Sequence, residues 1–293
     1  MTDPRSEATE AAPGGDLAHI ELGLARGTFH ALAGGRGRTV LYLHGFPDHP
    51  PTARAFLGEL ARGHRVVAPW LRGYAPSPLA GPYDTRTLVA DVAAMIEQLG
   101  APLDVVGHDW GAAITYALCA TRPELVRRAV ALSVPHPQTF LSVLRTTPAQ
   151  LVRSWYMVLF QLPGAGAVVS ARDFTLIDRL WRAWSPGFTL PDADRQALHA
   201  CLAASMPAPI EYYRAMVRPL RQFARRTRAL GAVIRTPLLQ LHGARDGCIR
   251  ALPEDLDRHR FAAREHETIP NMGHFIPHEA PHALAARVTR WLA

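Results

Sequence analysis

Short runs of β type alternate with helical patterns along most of the chain. The runs fall at residues 19–24, 28–34, 40–44, 65–69, 103–108, 128–134, 236–243 and 266–270, and the helical patterns lie at 51–62, 85–99, 110–122 and 280–292. Strands that alternate with helices are typical of a mainly parallel sheet whose faces are covered by helices. The sequence therefore predicts an α/β fold with a mostly parallel, twisted sheet of about eight strands flanked by helices.

The alternation breaks once, between the sixth and seventh runs, where the chain reads as helices rich in Trp, Leu, Met and Arg. A chain of 293 residues can bury a large core and still carry an insertion. We therefore expect a core of residues 17–137 and 233–293, with residues 138–232 inserted as a helical lid. Residues 1–16 are polar and lack an apolar segment, so they are interpreted as a loose tail and not as a signal peptide.

The formal net charge of +7 is concentrated in one part of the chain. Residues 145–232 hold twelve arginines and five acidic residues, an excess of seven positive charges, and every basic residue of the chain is arginine. Its densest part, RPLRQFARRTR at 218–228, is interpreted as a solvated helix face rather than a patch for a polyanion. We expect no nucleic-acid partner.

The three cysteines, Cys119, Cys201 and Cys248, are far apart and lack the pairing typical of a zinc site or a disulfide framework. Free thiols fit the reducing cytoplasm. No run approaches the roughly 18 uninterrupted apolar residues of a membrane span. The sequence predicts a cytoplasmic protein with no stable membrane insertion, and it leaves the choice between a monomer and a homodimer open.

The stretch DVVGHDWGAAIT at residues 104–115 places a carboxylate at the turn between a strand and a helix. Gly107, Asp109 and Gly111 have the spacing of the G-x-S-x-G turn, which holds a nucleophilic serine clear of the sheet. A carboxylate in that place can attack an electrophilic sp³ carbon and form an ester that water then hydrolyses. The alternative is a turn aspartate that only caps the following helix.

Four ordered motifs carry a resemblance to a known family. The chain resembles the α/β-hydrolase fold, and within it the epoxide hydrolases and their haloalkane dehalogenase relatives, in HGFPD (44–48), GHDWGA (107–112), GARDG (243–247) and NMGHFIPHEAP (271–281). The resemblance implies that Asp109 is the nucleophile, His274 the base that activates water and Asp246 the acid that orients the imidazole. His278 lies one helical turn beyond His274 and is the nearest competitor for the role of base.

The negative charge that forms on the Asp109 carbonyl oxygen requires fixed donors, which the resemblance assigns to the backbone N–H groups of Phe46 and Trp110. The same two positions bear on the leaving group. The Trp110 indole could bind a halide, but dehalogenase relatives commonly have Asn where this chain has Phe46, and fluoroacetate-type enzymes have Arg where it has Trp110. These departures argue against a haloalkane dehalogenase, which stays an alternative.

Two lid segments, SWYMVLFQLPG (154–164) and IEYYRAM (210–216), resemble the epoxide hydrolase segments that each place a tyrosine over the nucleophile, here Tyr156 and Tyr213. An opening epoxide becomes an alkoxide that needs a proton, which a phenol supplies. The resemblance therefore implies an epoxide hydrolase that turns a small apolar epoxide into a vicinal diol, with no metal and no organic cofactor. A ligand-binding protein of this fold that performs no reaction is the other alternative, although binding alone does not need an Asp-Asp-His set.

Overall fold

The structure, a computed structural model, describes residues 16–219, 221 and 231–293. Most of the tail expected at 1–16 therefore lies outside the described residues. The same holds for most of the basic stretch at 218–228, so its interpretation as a solvated face stays a prediction.

Eight strands form one sheet in the order β1-β2-β4-β3-β5-β6-β7-β8. The pairs β1–β2 and β2–β4 are antiparallel, and all the other neighbouring pairs are parallel. The strands are β1 (Ala18–Leu24), β2 (Gly27–Gly34), β3 (Thr39–Leu43), β4 (Arg65–Pro69), β5 (Leu103–His108), β6 (Val126–Leu132), β7 (Leu238–Gly243) and β8 (Arg264–Ile269). The predicted fold class is confirmed.

Burial along the strands follows their place in the sheet. Every residue of β3, β5 and β7 is buried, because helices cover both faces of the central strands and continuous apolar runs are favoured there. The edge strands β1 and β8 expose much of their length instead. The core is thus centred on strands β3, β5 and β7, whose carboxyl ends lead into three of the four motifs, and the fourth follows the edge strand β8.

Helices of the core flank this sheet, and a second group follows β6. The helices are α1 (Arg54–Ala61), α2 (Thr85–Leu99), α3 (Trp110–Thr121), α4 (Pro137–Thr146), α5 (Pro148–Arg153), α6 (Trp155–Leu159), α7 (Ala165–Trp184), α8 (Asp192–Ser205), α9 (Ala208–Val217), α10 (Ile276–Glu279) and α11 (Pro281–Leu292). Helix α7 contains an interruption, since residues 171–174 have non-helical backbone angles. No helix in the described part of the chain is long and apolar enough to cross a membrane.

Helices α4 to α9 lie between β6 and β7 along the chain, within or next to the segment expected as a lid. Several hydrogen bonds join this insert to the core. The Trp181 indole donates to the carbonyl of Pro47 at 2.9 Å, and the Tyr212 hydroxyl donates to the carbonyl of Arg72. The insert therefore packs against the loops that follow β3 and β4.

Candidate active site

Asp109 occupies a strained turn between β5 and α3. Its φ of 51° and ψ of −116° are unusual for a residue with a side chain, and its carboxylate makes no capping hydrogen bond to α3. A Cβ on Gly111 would lie 2.0 Å from the carbonyl oxygen of Leu43, and one on Gly107 would lie 2.3 Å from that of Gly111. Both glycines are therefore required by close backbone contact, and a helix-capping role does not account for the aspartate.

The Asp109 carboxylate lies between the loop after β3 and the loop after β8. Its Oδ1 accepts a hydrogen bond of 2.8 Å from the backbone N–H of Phe46, and its Oδ2 lies 3.5 Å from Nε2 of His274. A Cβ on Gly45 would approach the Cβ of Asp109 to 2.3 Å, so the HGFPD turn needs glycine there. Trp110 begins α3, where N–H groups have no intrahelical acceptor, and its role as a second donor stays a prediction.

His274 is fully buried in the loop between β8 and α10. Its Nδ1 lies 2.8 Å from Oδ2 of Asp246, which is the contact expected of an imidazole and its orienting acid. The backbone around the ring is held as well. The N–H of His274 donates to the carbonyl of Trp184 at 3.0 Å, and its carbonyl accepts from the Ser133 hydroxyl at 2.6 Å and from Nε2 of His108 at 2.9 Å.

Asp246 lies in the loop after β7 and is satisfied on both oxygens. Its Oδ1 accepts from the N–H groups of Cys248 and Ile249 at 2.7 and 2.8 Å, and its Oδ2 faces His274 and, at 3.2 Å, Nε2 of His242. Burial works against the carboxylate, but the charge of His274 and the hydrogen bonds of the two histidines hold the pKa of Asp246 well below its usual range. The acid is thus an ionised carboxylate aimed at His274.

The pKa of His274 reflects the two carboxylates that flank it. Burial lowers the pKa, whereas the charges of Asp246 and Asp109 and the hydrogen bonds to them raise it, with a net rise from 6.5 to about 10. The free site is therefore expected to hold a protonated imidazole between two carboxylates at neutral pH.

The lid contributes two tyrosines from α6 and α9. Tyr156 and Tyr213 are each 3% exposed, and their rings meet edge to face with centroids 5.6 Å apart. Tyr213 also packs edge to face on Phe46 and on Trp110, the residue that follows the nucleophile. Burial raises the pKa of both phenols well above 10, so each is a neutral hydroxyl group.

The two hydroxyl groups have different surroundings. The Tyr156 hydroxyl lies 3.3 Å from Sγ of Cys248. The Tyr213 hydroxyl is near the side chains of Trp110 and Tyr156, which offset part of the rise in its pKa, but it makes no well-formed hydrogen bond within the described residues. Sequence reasoning paired the tyrosines as equivalents and assigned Cys248 no role.

A cavity of about 870 Å³ extends along α3 from the nucleophile, and Asp109, Tyr156 and Tyr213 line it together. Most of its remaining wall is apolar, from residues of α2, α3 and α4 such as Val89, Ala113 and Phe140. Among the described residues, no group of three or more His, Cys, Asp or Glu side chains is placed to hold a metal ion. The arrangement suits an apolar substrate that meets a carboxylate and two phenols at one end.

His278 is engaged elsewhere. Its Nε2 lies 3.0 Å from Oδ2 of the buried Asp48, and its Nδ1 lies 3.0 Å from the carbonyl oxygen of Thr52. Both ring nitrogens therefore face acceptors, and neither is available to activate water at Asp109. Asp48 ends the HGFPD motif, but no sequence signal connected it with His278.

Comparisons with known proteins show which family the chain is similar to. A family model described as the alpha/beta hydrolase family matches residues 40–287. The chain is 32% identical to epoxide hydrolase 3 of Mus musculus over 257 residues, which cover 84% of this chain and 68% of that protein. It is 30% identical to epoxide hydrolase 4 of Mus musculus over 234 residues, which cover 74% of this chain but only 63% of the relative's length.

Solved structures show the same similarity over nearly the whole chain. The epoxide hydrolase of Bacillus megaterium, solved in complex with an inhibitor, superimposes with a TM-score of 0.80 at 26% identity, covering 94% of this chain and 99% of that one. Cfl2 of Burkholderia cenocepacia superimposes with a TM-score of 0.82 at 27% identity, covering 97% and 98% of the two chains.

Proposed function

Because this chain belongs to the alpha/beta hydrolase family, we propose that it is an epoxide hydrolase, which adds water to an apolar epoxide and releases a vicinal diol. One observation carries the proposal: the carboxylate of Asp109 and the buried phenols of Tyr156 and Tyr213 line the same cavity. A phenol donates a proton to an alkoxide, the leaving group of an epoxide, whereas a halide leaves without one. Two phenols beside the nucleophile therefore favour the epoxide over the alkyl halide.

In the first half-reaction Asp109 attacks the epoxide. Its Oδ1 is held by the Phe46 N–H, which leaves Oδ2 to form the bond to carbon while the carbon–oxygen bond of the epoxide breaks. The departing oxygen takes a proton from one of the two lid tyrosines. The product is an ester on Asp109, a new alcohol on the substrate and a phenolate in the lid.

In the second half-reaction His274 takes a proton from water, and the resulting hydroxide attacks the carbonyl carbon of the Asp109 ester. The Phe46 N–H then faces the oxygen that becomes negative. Collapse of this intermediate releases the diol oxygen, which takes the proton from His274. The proton left on the Asp109 carboxyl returns to the phenolate, and His274, which loses its proton to solvent when esterification lowers its pKa, regains a proton as the Asp109 charge returns, so that every group recovers its starting state.

The electrostatics of the site support the order in which Asp109 and His274 act. In the free site the charge of Asp109 is one of the causes that raise the pKa of His274 to about 10. Esterification removes that charge, and the pKa of His274 falls toward the range of a general base. The imidazole is thus expected to become a competent base only after the covalent step.

Product analysis with the purified protein tests the proposed function. We expect diol from styrene oxide or from a long-chain fatty epoxide, no bromide from 1-bromobutane, and no product from either class in the Asp109→Ala variant. Bromide release without diol from any epoxide would indicate the haloalkane dehalogenase instead. Saturable binding without any product would indicate the ligand-binding protein.

The cytoplasmic location is likewise a proposal, which rests on the sequence alone, and the choice between a monomer and a homodimer stays open. Light scattering coupled to size-exclusion chromatography measures the molar mass in solution, where a mass near 32.1 kDa would indicate a monomer and a mass near twice that value a homodimer.

A further inference from the structure

Cys248 is a buried thiol in contact with one of the lid tyrosines. It lies two residues after Asp246, is 0% exposed, and has its Sγ 3.3 Å from the hydroxyl of Tyr156. The other two cysteines lie elsewhere: Cys119 is buried in α3, and Cys201 donates to the carbonyl of Ala75 at 3.4 Å. Of the three thiols, only that of Cys248 contacts a residue of the proposed site.

The backbone of Cys248 is held on both sides. Its N–H donates to Oδ1 of Asp246 at 2.7 Å, and its carbonyl accepts from Nε2 of Gln150 at 2.9 Å. Gln150 is 1% exposed on α5, and its Oε1 accepts from the N–H of Arg250 at 3.0 Å. The loop that carries the catalytic acid is therefore joined to the lid by a buried amide, and the thiol has a fixed position relative to α6.

We propose that Cys248 is a positioning residue for Tyr156: its thiol holds the phenol hydroxyl over Asp109 and supports the phenol oxygen as that hydroxyl donates to the epoxide oxygen. This inference rests on the proposed function. A thiol is both a weak donor and a weak acceptor. It accepts the Tyr156 O–H before the substrate arrives, and its S–H donates to the phenol oxygen once the O–H proton has moved to the substrate.

The geometry makes the effect specific to one tyrosine and one half-reaction. Among the described residues the Tyr213 hydroxyl makes no hydrogen bond to the thiol, so its donation should not require the Cys248 side chain. The support that Cys248 gives to Asp246 comes from the backbone N–H, which any side chain at this position retains. Loss of the thiol should therefore slow ring opening through Tyr156 and leave ester hydrolysis unchanged.

Single-turnover kinetics with styrene oxide test the proposal, because the rise and decay of the alkyl-enzyme separate the two half-reactions. Replacing Cys248 with Ala should lower the alkylation rate by about 2- to 12-fold, the effect of one ordinary hydrogen bond, with an unchanged decay rate. The conservative Cys248→Ser variant keeps a hydroxyl in place of the thiol and should recover part of the rate. Cys119→Ala, which also removes a buried thiol, is the matched control and should alkylate at the wild-type rate.

Double variants separate positioning from packing. In a Tyr156→Phe background the Cys248→Ala change should have no further effect on alkylation, whereas in a Tyr213→Phe background it should have its full effect. An equal effect in both backgrounds, a slower decay of the ester, or a wild-type rate in Cys248→Ala would overturn the assignment. If the wild type forms no alkyl-enzyme with any epoxide, the proposed function itself fails, which is a different result from an unaffected Cys248→Ala.

Discussion

The hydroxyl groups of the lid tyrosines can be tested apart from their rings. Replacing Tyr156 or Tyr213 with Phe keeps the buried edge-to-face packing and removes only the donor. Each single change should cost about 2–4 kcal/mol of transition-state stabilisation, by analogy with loss of one oxyanion donor. The double change should nearly abolish alkylation of the enzyme by an epoxide, measured as burst amplitude. Full epoxide turnover in the double variant would contradict the mechanism.

In the proposed mechanism His274 acts after the covalent step, so a variant without it should accumulate the intermediate. In His274→Ala, Asp109 can still attack the epoxide, but no base activates water. Intact-protein mass spectrometry should then find the enzyme heavier by one substrate molecule. His282→Ala is the matched control, because that ring is 77% exposed, and it should show no adduct. If His274→Ala shows no added mass after exposure to an epoxide that the wild type hydrolyses, another residue is the base.

The pair formed by Asp48 and His278 joins two elements of the site, the turn after β3 and the short helix α10. Both side chains are nearly inaccessible, at 0% and 2% exposure, and the Thr52 hydroxyl and the N–H of His49 also bond to the Asp48 carboxylate. The pair therefore fixes the Phe46 turn relative to the loop that carries His274. Sequence reasoning weighed His278 only as a competing base, whereas the structure gives it a role in holding these elements together.

Removing His278 should destabilise the protein instead of trapping an intermediate. His278→Ala leaves the buried carboxylate of Asp48 without its imidazole partner, and breaking a buried pair in this way costs about 3–5 kcal/mol. Urea unfolding measures the loss, with His282→Ala expected within about 0.5 kcal/mol of the wild type. If His278→Ala is as stable as His282→Ala, the pair does not hold the two elements together.

The stability of the whole molecule should depend on pH through its buried histidines. Burial lowers the pKa of His44, and it lowers those of His49 and His108 to about 4, so these rings are neutral in the fold. The unfolded chain binds protons more readily below its histidine pKa of about 6.5, and stability falls as the pH drops from there. The contribution of His274 to stability changes with pH in the opposite direction. It is complete below about pH 6.5 and is lost as the pH rises toward the folded pKa of about 10.

These opposite signs predict a maximum in the free energy of unfolding near pH 6.5, with a fall on both sides. Urea unfolding at pH 5, 6.5, 8 and 9.5 measures the curve. The Asp246→Asn variant lacks the largest cause of the raised His274 pKa, so its fall above pH 6.5 should be shallower than that of the wild type. If the free energy of unfolding of the variant falls above pH 6.5 as steeply as that of the wild type, a group other than His274 causes the fall.

Local patterns were sufficient to predict the sheet and the turn that holds Asp109. All eight strands lie within about three residues of their predicted bounds, because apolar runs and turn residues act over a few neighbours. The spacing of Gly107, Asp109 and Gly111 likewise predicts the elbow, since only glycine tolerates those backbone contacts. The order of the motifs also placed His274 and Asp246 at the carboxyl ends of parallel strands, where they meet.

Contacts between side chains far apart in the sequence depend on the tertiary structure. Cys248 and Tyr156 are 92 positions apart, and Asp48 and His278 are 230 apart. No periodicity relates residues at such distances, because their meeting depends on how α6 packs over the β7 loop and how α10 packs beside the β3 turn. The sequence alone therefore determined the fold and predicted Asp109 as the nucleophile, whereas the burial that neutralises both phenols, and the contact of the Tyr156 hydroxyl with the Cys248 thiol, were decided by the packing of the lid on the core.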